Sequence, residues 1–451
     1  MRVRKALLGA FLLPLVLGTL AMGAAQAALV PADDNGDLSQ VVAADGAVAP
    51  LGPDFLWGVA SAGFQSEGNS PDSNWTRYAA ANKKYDPVGT SVDFLHRFAS
   101  DITLAAGLGV KVYRISVEWA RLEPHPGVQD PTAWAFYDRV IAAIKAAGMR
   151  PQITLDHWVY PGWEVDKGGW TRAGMLDDWL ANARRVVDRY APYNPLWVTI
   201  NEPTAYMLME TENGGLNPLL IPYFMGRLVQ AHNSIYDYIH VRQPAAMVTS
   251  NVAYIPTAEP LLDTLFLDQV KNRLDYVGID YYYPVSLTDT SALAAFTGQS
   301  WKAGLAPEGI YYALRHYARQ FPTKPLYIVE NGMPTDNALP RADRWDRADL
   351  LRDTVYWLER AKAAGMNLMG YNYWSLTDNY EWGSYEPRFG LYTVDVLTDP
   401  TLTRKPTDAV AAYQDITAHN GVPSSYKPTR APQFCSLVDF LSSCLDPVKV
   451  N

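Results

Sequence analysis

Cysteine is nearly absent from this sequence. Cys435 and Cys444 are the only two in 451 residues, nine positions apart in the C-terminal tail. Neither is near a motif that carries chemistry, so thiol catalysis is excluded. In an exported chain the pair is expected to close a small local disulfide. Basic charge is also short: 38 Lys and Arg against 47 Asp and Glu leave a net charge of -9. With no basic face to displace counterions from phosphates, a nucleic-acid partner is disfavoured. The seven histidines show no H-E-x-x-H or Cys/His ligand spacing, so no metal site is expected. No G-x-G-x-x-G or G-x-x-x-x-G-K-[ST] loop follows an early strand, and no G-x-S-x-G elbow occurs. Dinucleotide, phosphate-loop and serine-hydrolase chemistries lose their usual signatures. Internal repeats and low-complexity tracts are missing too.

Membrane-length apolar runs are absent except at the very start. Arg2, Arg4 and Lys5 precede an apolar stretch from Ala6 to about Ala25, and Ala25-Gln26-Ala27 offers an A-x-A cleavage site. Residues 1–27 are therefore expected to be a signal peptide, making the mature chain secreted or extracytoplasmic. About 20 apolar residues can also span a bilayer, so a retained anchor is the alternative. Pro14, the glycines and the small-residue end favour cleavage, after which no membrane contact is expected. Residues 28–50 have no helical or strand period and read as a flexible leader. The folded catalytic body is expected over 51–420, followed by a tail, 421–451, holding the two cysteines.

What the chain has in plenty is short β-prone runs alternating with amphipathic patterns. The candidate strands are Phe55–Ser61, Lys111–Val117, Arg150–Asp156, Leu196–Asn201, Ala246–Asn251, Tyr276–Tyr282, Pro325–Asn331 and Leu368–Ser375. Helical spacing covers stretches such as Pro131–Gly148, Met175–Tyr190, Pro222–Val241, Pro307–Phe321 and Arg347–Gly365. Eight strand–helix units predict an α/β fold, a single (β/α)₈ barrel, with an open doubly wound sheet as the lesser alternative.

The strand ends carry unusual residues. Arg114 lies inside the second strand; the third ends in Asp156-His157-Trp158, the fourth in Asn201-Glu202-Pro203, the sixth in Asp280-Tyr281-Tyr282. The seventh ends in Glu330-Asn331-Gly332, and the eighth in Trp374-Ser375, followed by Glu381-Trp382. In a (β/α)₈ barrel these ends share one mouth, where active sites lie. Glu202 and Glu330 each close an apolar strand beside an Asn, and strands four and seven face each other across an eight-stranded barrel. Paired carboxylates flanking a bond are the equipment for glycoside hydrolysis, one donating a proton and the other attacking the anomeric carbon. Trp374, Glu381 and Trp382 suit a sugar, with an indole against the ring and a carboxylate accepting from hydroxyls; core packing is the plainer role for either Trp.

Across residues 53–413 the chain resembles the family 1 glycoside hydrolases, the retaining β-glucosidase and β-galactosidase family. The likeness rests on Asp54-Phe55-Leu56-Trp57-Gly58-Val59-Ala60-Ser61, Gln65-Ser66-Glu67-Gly68, Tyr113-Arg114-Ile115-Ser116 and Thr199-Ile200-Asn201-Glu202-Pro203. It continues through Tyr327-Ile328-Val329-Glu330-Asn331-Gly332, the run Trp374 to Trp382, and Arg388-Phe389-Gly390-Leu391. The resemblance implies Glu202 as acid/base, Glu330 as nucleophile, and Arg114 and Tyr282 as the groups holding that nucleophile ionised. It implies Gln65, His157, Asn201 and Glu381 as grips on the sugar hydroxyls, with Trp374 under the ring. Trp382 and Phe389 stand beside it, and Trp158 joins the sugar-binding set. No cofactor or metal is implied. Family members that split 6-phospho-sugars carry Ser and Lys in the last loop; Glu381 and Ser384-Tyr385-Glu386-Pro387 stand here, which implies an unphosphorylated O-glycoside.

Three departures qualify the likeness. Asp280 stands where most members have Asn, and a second acid beside Glu330 is expected to raise the pKa of the coupled pair and move activity toward acid. The plainer expectation is an Asp paired with Arg114. Asp156-His157-Trp158-Val159-Tyr160-Pro161 lacks the usual Asp-Leu before its Pro, and the stretch Glu210 to Leu220 is short and lacks a Pro-Gly. The function expected is a secreted retaining β-glycosidase acting on a small β-glycoside. A transglycosidase with the same residues and a catalytically inactive sugar-binding relative are the alternatives.

Overall fold

The computed structural model describes residues 48–256, 258–283, 299–433, 436, 438–439 and 442–448. The expected signal peptide and residues 28–47 of the expected leader lie outside them, as does Cys435. Thirteen strands follow in order: β1 (Leu56–Ala60), β2 (Val112–Ser116), β3 (Arg150–Asp156), β4 (Leu196–Ile200), β5 (Met247–Thr249), β6 (Val252–Ala253), β7 (Val277–Asp280), β8 (Leu326–Asn331), β9 (Thr335–Asp336), β10 (Leu368–Trp374), β11 (Pro387–Arg388), β12 (Tyr392–Thr393) and β13 (Lys405–Pro406). Nine of them form one sheet, in the order β5-β4-β3-β2-β1-β10-β8-β7-β6, with every pairing parallel.

The sheet closes through a divided strand. The single fifth strand expected over Ala246–Asn251 is two short pieces: β5 pairs with β4, and β6 pairs with β7. Ser250 and Asn251 between them leave the ladder, and their side chains bond elsewhere: Ser250 Oγ donates to the Ile200 carbonyl at 2.6 Å. The result is the predicted (β/α)₈ barrel. Helices return between strands, among them Pro131–Ala146, Met175–Tyr190, Ile221–Arg242, Gly309–Gln320 and Arg347–Ala363. Local chemistry sets their starts. Asp130 caps one by accepting from Thr132 N at 2.7 Å, with Pro131 preset in the first turn.

Strand residues alternate between two apolar environments, as a parallel sheet covered on both faces requires. Trp57, Val59, Tyr113, Ile115, Ile153 and Leu155 belong to the large core shared with the helices. Val112, Leu196, Val198, Tyr276, Tyr327 and Val329 pack together inside the barrel. A polar layer crosses that interior: Asn372 Nδ2 donates to Gln152 Oε1 at 2.7 Å, Gln152 Nε2 to Tyr276 at 3.1 Å, and Tyr327 donates to Asn372 Oδ1 at 2.9 Å. One step higher the same inward face presents Arg114 from β2 and Thr154 from β3, joined at 3.0 Å.

The tail after residue 420 is not a loose end. Asp353 accepts from the Tyr426 hydroxyl at 2.6 Å and from Thr429 N at 2.9 Å; Glu308 accepts from Gln433 N at 2.7 Å; Arg315 pairs with Asp439 at 3.0 Å. Cys444 is in a disulfide. None of the described helices is long and apolar enough to cross a membrane.

Gly58 is the tightest point of the polar layer, because a Cβ there would lie 2.1 Å from Asn372 Oδ1. Gly58→Ala should push Asn372 off Gln152 and destabilise the fold by roughly 1–3 kcal/mol. Thermal unfolding of the variant should begin several degrees below the parent; an unchanged midpoint would show that the layer yields freely.

Candidate active site

The barrel's C-terminal mouth gathers all thirteen of the expected site residues. Arg114, fully buried on β2, sends its guanidinium in three directions: to Glu330 Oε1 in an ion pair, to Asn201 Oδ1 at 2.6 Å, and to Thr154 Oγ1 at 3.0 Å. Glu330 sits at the end of β8 with its other oxygen, Oε2, accepting from the Tyr282 hydroxyl at 2.9 Å. Both carboxylate oxygens thus have donors, and one donor is a cation that cannot be deprotonated. This is the arrangement that keeps a carboxylate ionised inside a protein.

Glu202 is built differently. It does not lie on β4 but just past it, at φ 39° and ψ 65°, as the N-cap of the helix Pro203–Asn213. Pro203 fits the first helical turn, where its missing N–H is not needed. The left-handed backbone turns the chain sharply from strand to helix, and Glu202 N donates to the Asn251 carbonyl at 3.1 Å. Among the described residues the N–H donor to its carboxyl is Asn201 Nδ2, long at 3.4 Å, and Asp280 is its carboxyl neighbour. Burial, and next the charge on Glu330, push its pKa up to about 8. One mouth glutamate has a cation and a hydroxyl as donors, and the other is favoured as the acid.

On the opposite side the sugar-gripping set is assembled. Trp374 Nε1 donates to Glu381 Oε1 at 3.1 Å, and Gln65 Nε2 donates to Asn379 Oδ1 at 3.0 Å and reaches Glu381 Oε2 at 3.4 Å. Gln65 Oε1 and His157 Nδ1 are buried without a partner among the described residues, so each retains hydrogen-bonding capacity. Burial, and after it the charge on Arg114, hold His157 well below the usual histidine range, so its ring is neutral. Aromatic rings complete the wall. His157 is near parallel to Trp374 and Trp382, at 6.0 and 5.7 Å, and Trp158 stacks on Trp382 at 4.6 Å. Phe389 meets Tyr282 edge-on at 5.6 Å.

Asp280 lies beside Glu330 as first expected, in register with it across the β7–β8 ladder, and the plainer pairing with Arg114 is not met. Among the described residues Arg114 makes its ion pair with Glu330, not with Asp280. Asp280 instead takes a hydrogen bond from Asn251, whose same amide nitrogen reaches Asn201 Oδ1 at 2.7 Å. Burial, followed by the charges on Glu330 and Glu202, raises the Asp280 pKa well above the ordinary carboxyl range. The raised pKa of the coupled acids is the one expected from a second acid beside Glu330, and a raised acid/base pKa moves the alkaline limb of a pH profile upward.

Two contributors were not among the expected residues. Asn251, in the gap between β5 and β6, ties Asn201, Glu202 and Asp280 together. The signal for it was a polar residue closing an apolar strand, as at the other strand ends. Glu210, on the helix that Glu202 begins, is buried and accepts only from neutral donors: Asn74 Nδ2 at 3.0 Å, the Tyr78 hydroxyl at 3.0 Å and the Tyr160 hydroxyl at 3.0 Å. Asn74 Nδ2 also donates to the Trp158 carbonyl at 2.8 Å, and Trp158 Nε1 donates to the Asn201 carbonyl at 2.7 Å. This joins the loop after β3 to the acid/base helix. Among the described residues no group of three His, Cys, Asp or Glu is placed to hold a metal ion.

Comparison with known proteins agrees with this geometry. The profile of glycosyl hydrolase family 1 matches residues 48–261 and 267–422. Beta-glucosidase A of Thermotoga maritima is 26% identical over 441 residues, covering 82% of this chain and 98% of that protein. Thermostable beta-glucosidase B of Thermobispora bispora is 27% identical, covering 82% of this chain and 90% of its own length. The structure of a beta-glycosidase from Pyrococcus horikoshii superposes with a TM-score of 0.72 at 25% identity, covering 84% of this chain and 97% of that one. The chain belongs to glycosyl hydrolase family 1 and is a glycoside hydrolase.

Proposed function

We propose that the protein is a secreted retaining β-glycosidase that releases terminal non-reducing β-D-glucosyl residues from unphosphorylated O-glycosides. The observation that carries this reading is the unequal setting of the two mouth glutamates. Glu330, between the Arg114 guanidinium and the Tyr282 hydroxyl, is suited to attack the anomeric carbon as a carboxylate. Glu202, with its pKa raised to about 8 by burial and by the charge on Glu330, is suited to give its proton to the departing oxygen. The glycosyl ester on Glu330 is then opened by water, whose proton returns to Glu202.

Glucose is favoured by the relatives' names and by the grip of Gln65, His157, Asn201 and Glu381. The hydrogen-bond donors to Glu381 are the neutral Trp374 and Gln65, so a sugar 6-phosphate would find no cation to pair with there. Export rests on the basic start, apolar run and Ala25-Gln26-Ala27 triplet. Secreted enzyme should begin at Ala28, which N-terminal sequencing of protein from culture medium would check.

Glu330→Gln should abolish hydrolysis of a chromogenic β-glucoside and lower the melting temperature, because Arg114 loses its counter-charge, while circular dichroism at room temperature stays native; full activity in that variant would sink the proposal. Proton NMR of the first-formed sugar should show the β-anomer, whereas the α-anomer would mean inversion. Raising pH should remove kcat/KM through an alkaline limb near pH 8, set by Glu202. A panel of aryl β-glucosides, galactosides, fucosides and xylosides should rank glucose first. Added alcohol or sugar acceptors should leave free glucose as the main product, where a transglycosidase would give the acceptor glycoside.

A further inference from the structure

Around the cleavage point stand the carboxyls of Glu202, Glu330 and Asp280, with Glu381 beyond them on the sugar-gripping side. Arg114 is committed to Glu330, and among the described residues no cation pairs with Glu202 or Asp280. Asp280 is 1% exposed and stands in register with Glu330 across the β7–β8 ladder. Its Oδ2 accepts from Asn251, while its Oδ1 has no N–H or O–H donor from any described neighbour. The charged groups that act on it come from β8, from the end of β4 and from β2: Glu330, Glu202 and Arg114. Asp280 and Glu202 are both tied to Asn251, whose side chain donates to Asp280 Oδ2 and whose carbonyl accepts from Glu202 N at 3.1 Å, and this sets the two carboxyls as hydrogen-bonding neighbours. Two carboxylates so close in a buried site cannot both be ionised without large repulsion, so a proton must lie between them.

We propose that Asp280 works as a neutral carboxylic acid, a positioning residue whose proton is donated to Glu202. This rests on Glu202 being the acid/base. With both carboxyls protonated, the resting site is electrically balanced, Glu330 against Arg114. In the first step the Glu202 O–H bond breaks, its electron pair stays on Glu202, and the departing oxygen gains the proton. Glu330 loses its charge on forming the ester at the same moment, so the single anion passes from Glu330 to Glu202. Asp280 keeps its proton throughout and meets the new carboxylate with a charge-assisted hydrogen bond. In the second step Glu202 takes a proton from the attacking water and Glu330 is released as the anion. Asn251, by occupying Asp280 Oδ2, leaves Oδ1 for Glu202.

The test compares Asp280→Asn with Asp280→Leu across the pH range of kcat and kcat/KM. Asn is a neutral donor of the same shape, so it should keep kcat/KM within about threefold and leave both limbs of the profile in place. Leu removes the donor and should lower kcat at least tenfold on a substrate with a poor leaving group. The infrared spectrum of the parent minus that of Asp280→Asn, at neutral pH, should contain one protonated-carboxyl band, with the Glu202 band cancelling. If Asp280→Asn moves either limb down by a unit or more, Asp280 is ionised at work and the proposal is overturned. Equal activity in the Leu variant, or a carboxylate band in place of the protonated-carboxyl band in that difference spectrum, would also overturn it. Glu202→Ala separates the underlying reading: it should lose about 10²–10⁴-fold on poor leaving groups but little in the first step with a dinitrophenyl glycoside. A uniform loss on both would remove Glu202 from the acid/base role itself, whatever Asp280 does.

Discussion

Burying Arg114 is the constraint on which the rest of the mouth depends. An uncompensated guanidinium inside a barrel would lose several kcal/mol of hydration, and one carboxylate alone rarely repays that loss. Here Glu330 supplies the counter-charge while Asn201 and Thr154 accept from two further N–H groups. The three partners come from β8, from the end of β4 and from β3. A shift in any of these strands would leave part of the cation unsatisfied. The charge pair therefore works as a register pin for the barrel as well as the setting of the attacking group.

The pin also explains why two glutamates of the same kind behave differently. Among the described residues Arg114 is the one cation paired with these acids, and the geometry gives it to Glu330. Glu202 is left with burial and with the field of its neighbour, both of which favour the protonated form. The division of labour follows from where the single positive charge points. It does not require that either glutamate be intrinsically special. The neutral His157 and the ring wall of Trp158, Trp374 and Trp382 add no further cation to disturb it.

Much of this was legible in the sequence, for physical reasons. β8 is buried on both faces, so it begins as a short unbroken apolar run, Leu326 to Val329, and the Glu330 that ends the run marks the mouth. Helices such as Met175–Tyr190 show their period plainly and were bounded to the residue. The divided fifth strand was not legible, because Ser250 and Asn251 leave the ladder to make contacts 50 residues back in the chain. Glu210 was visible only as part of a shortened segment. Its donors lie 132, 136 and 50 residues away, and no local pattern announces a carboxylate held by neutral partners. That Asp280 would lie beside Glu330 was legible from the strand ends, but which acid Arg114 faces was not, since nearness in the fold does not decide it.

The Glu210 junction has a mechanical meaning. Segments following β1, β3 and β4 all end on one carboxylate, so these parts of the rim form a single body in place of independent loops. A rim assembled during folding has little conformational freedom left to surrender when sugar arrives. Ordering has already been done by the time the substrate enters, and orientation of the glycosidic bond against Glu202 and Glu330 can draw on walls that do not have to close. Such a mouth resembles a fixed socket more than a clasp, and its selectivity would lie in shape at entry, not in movement after binding.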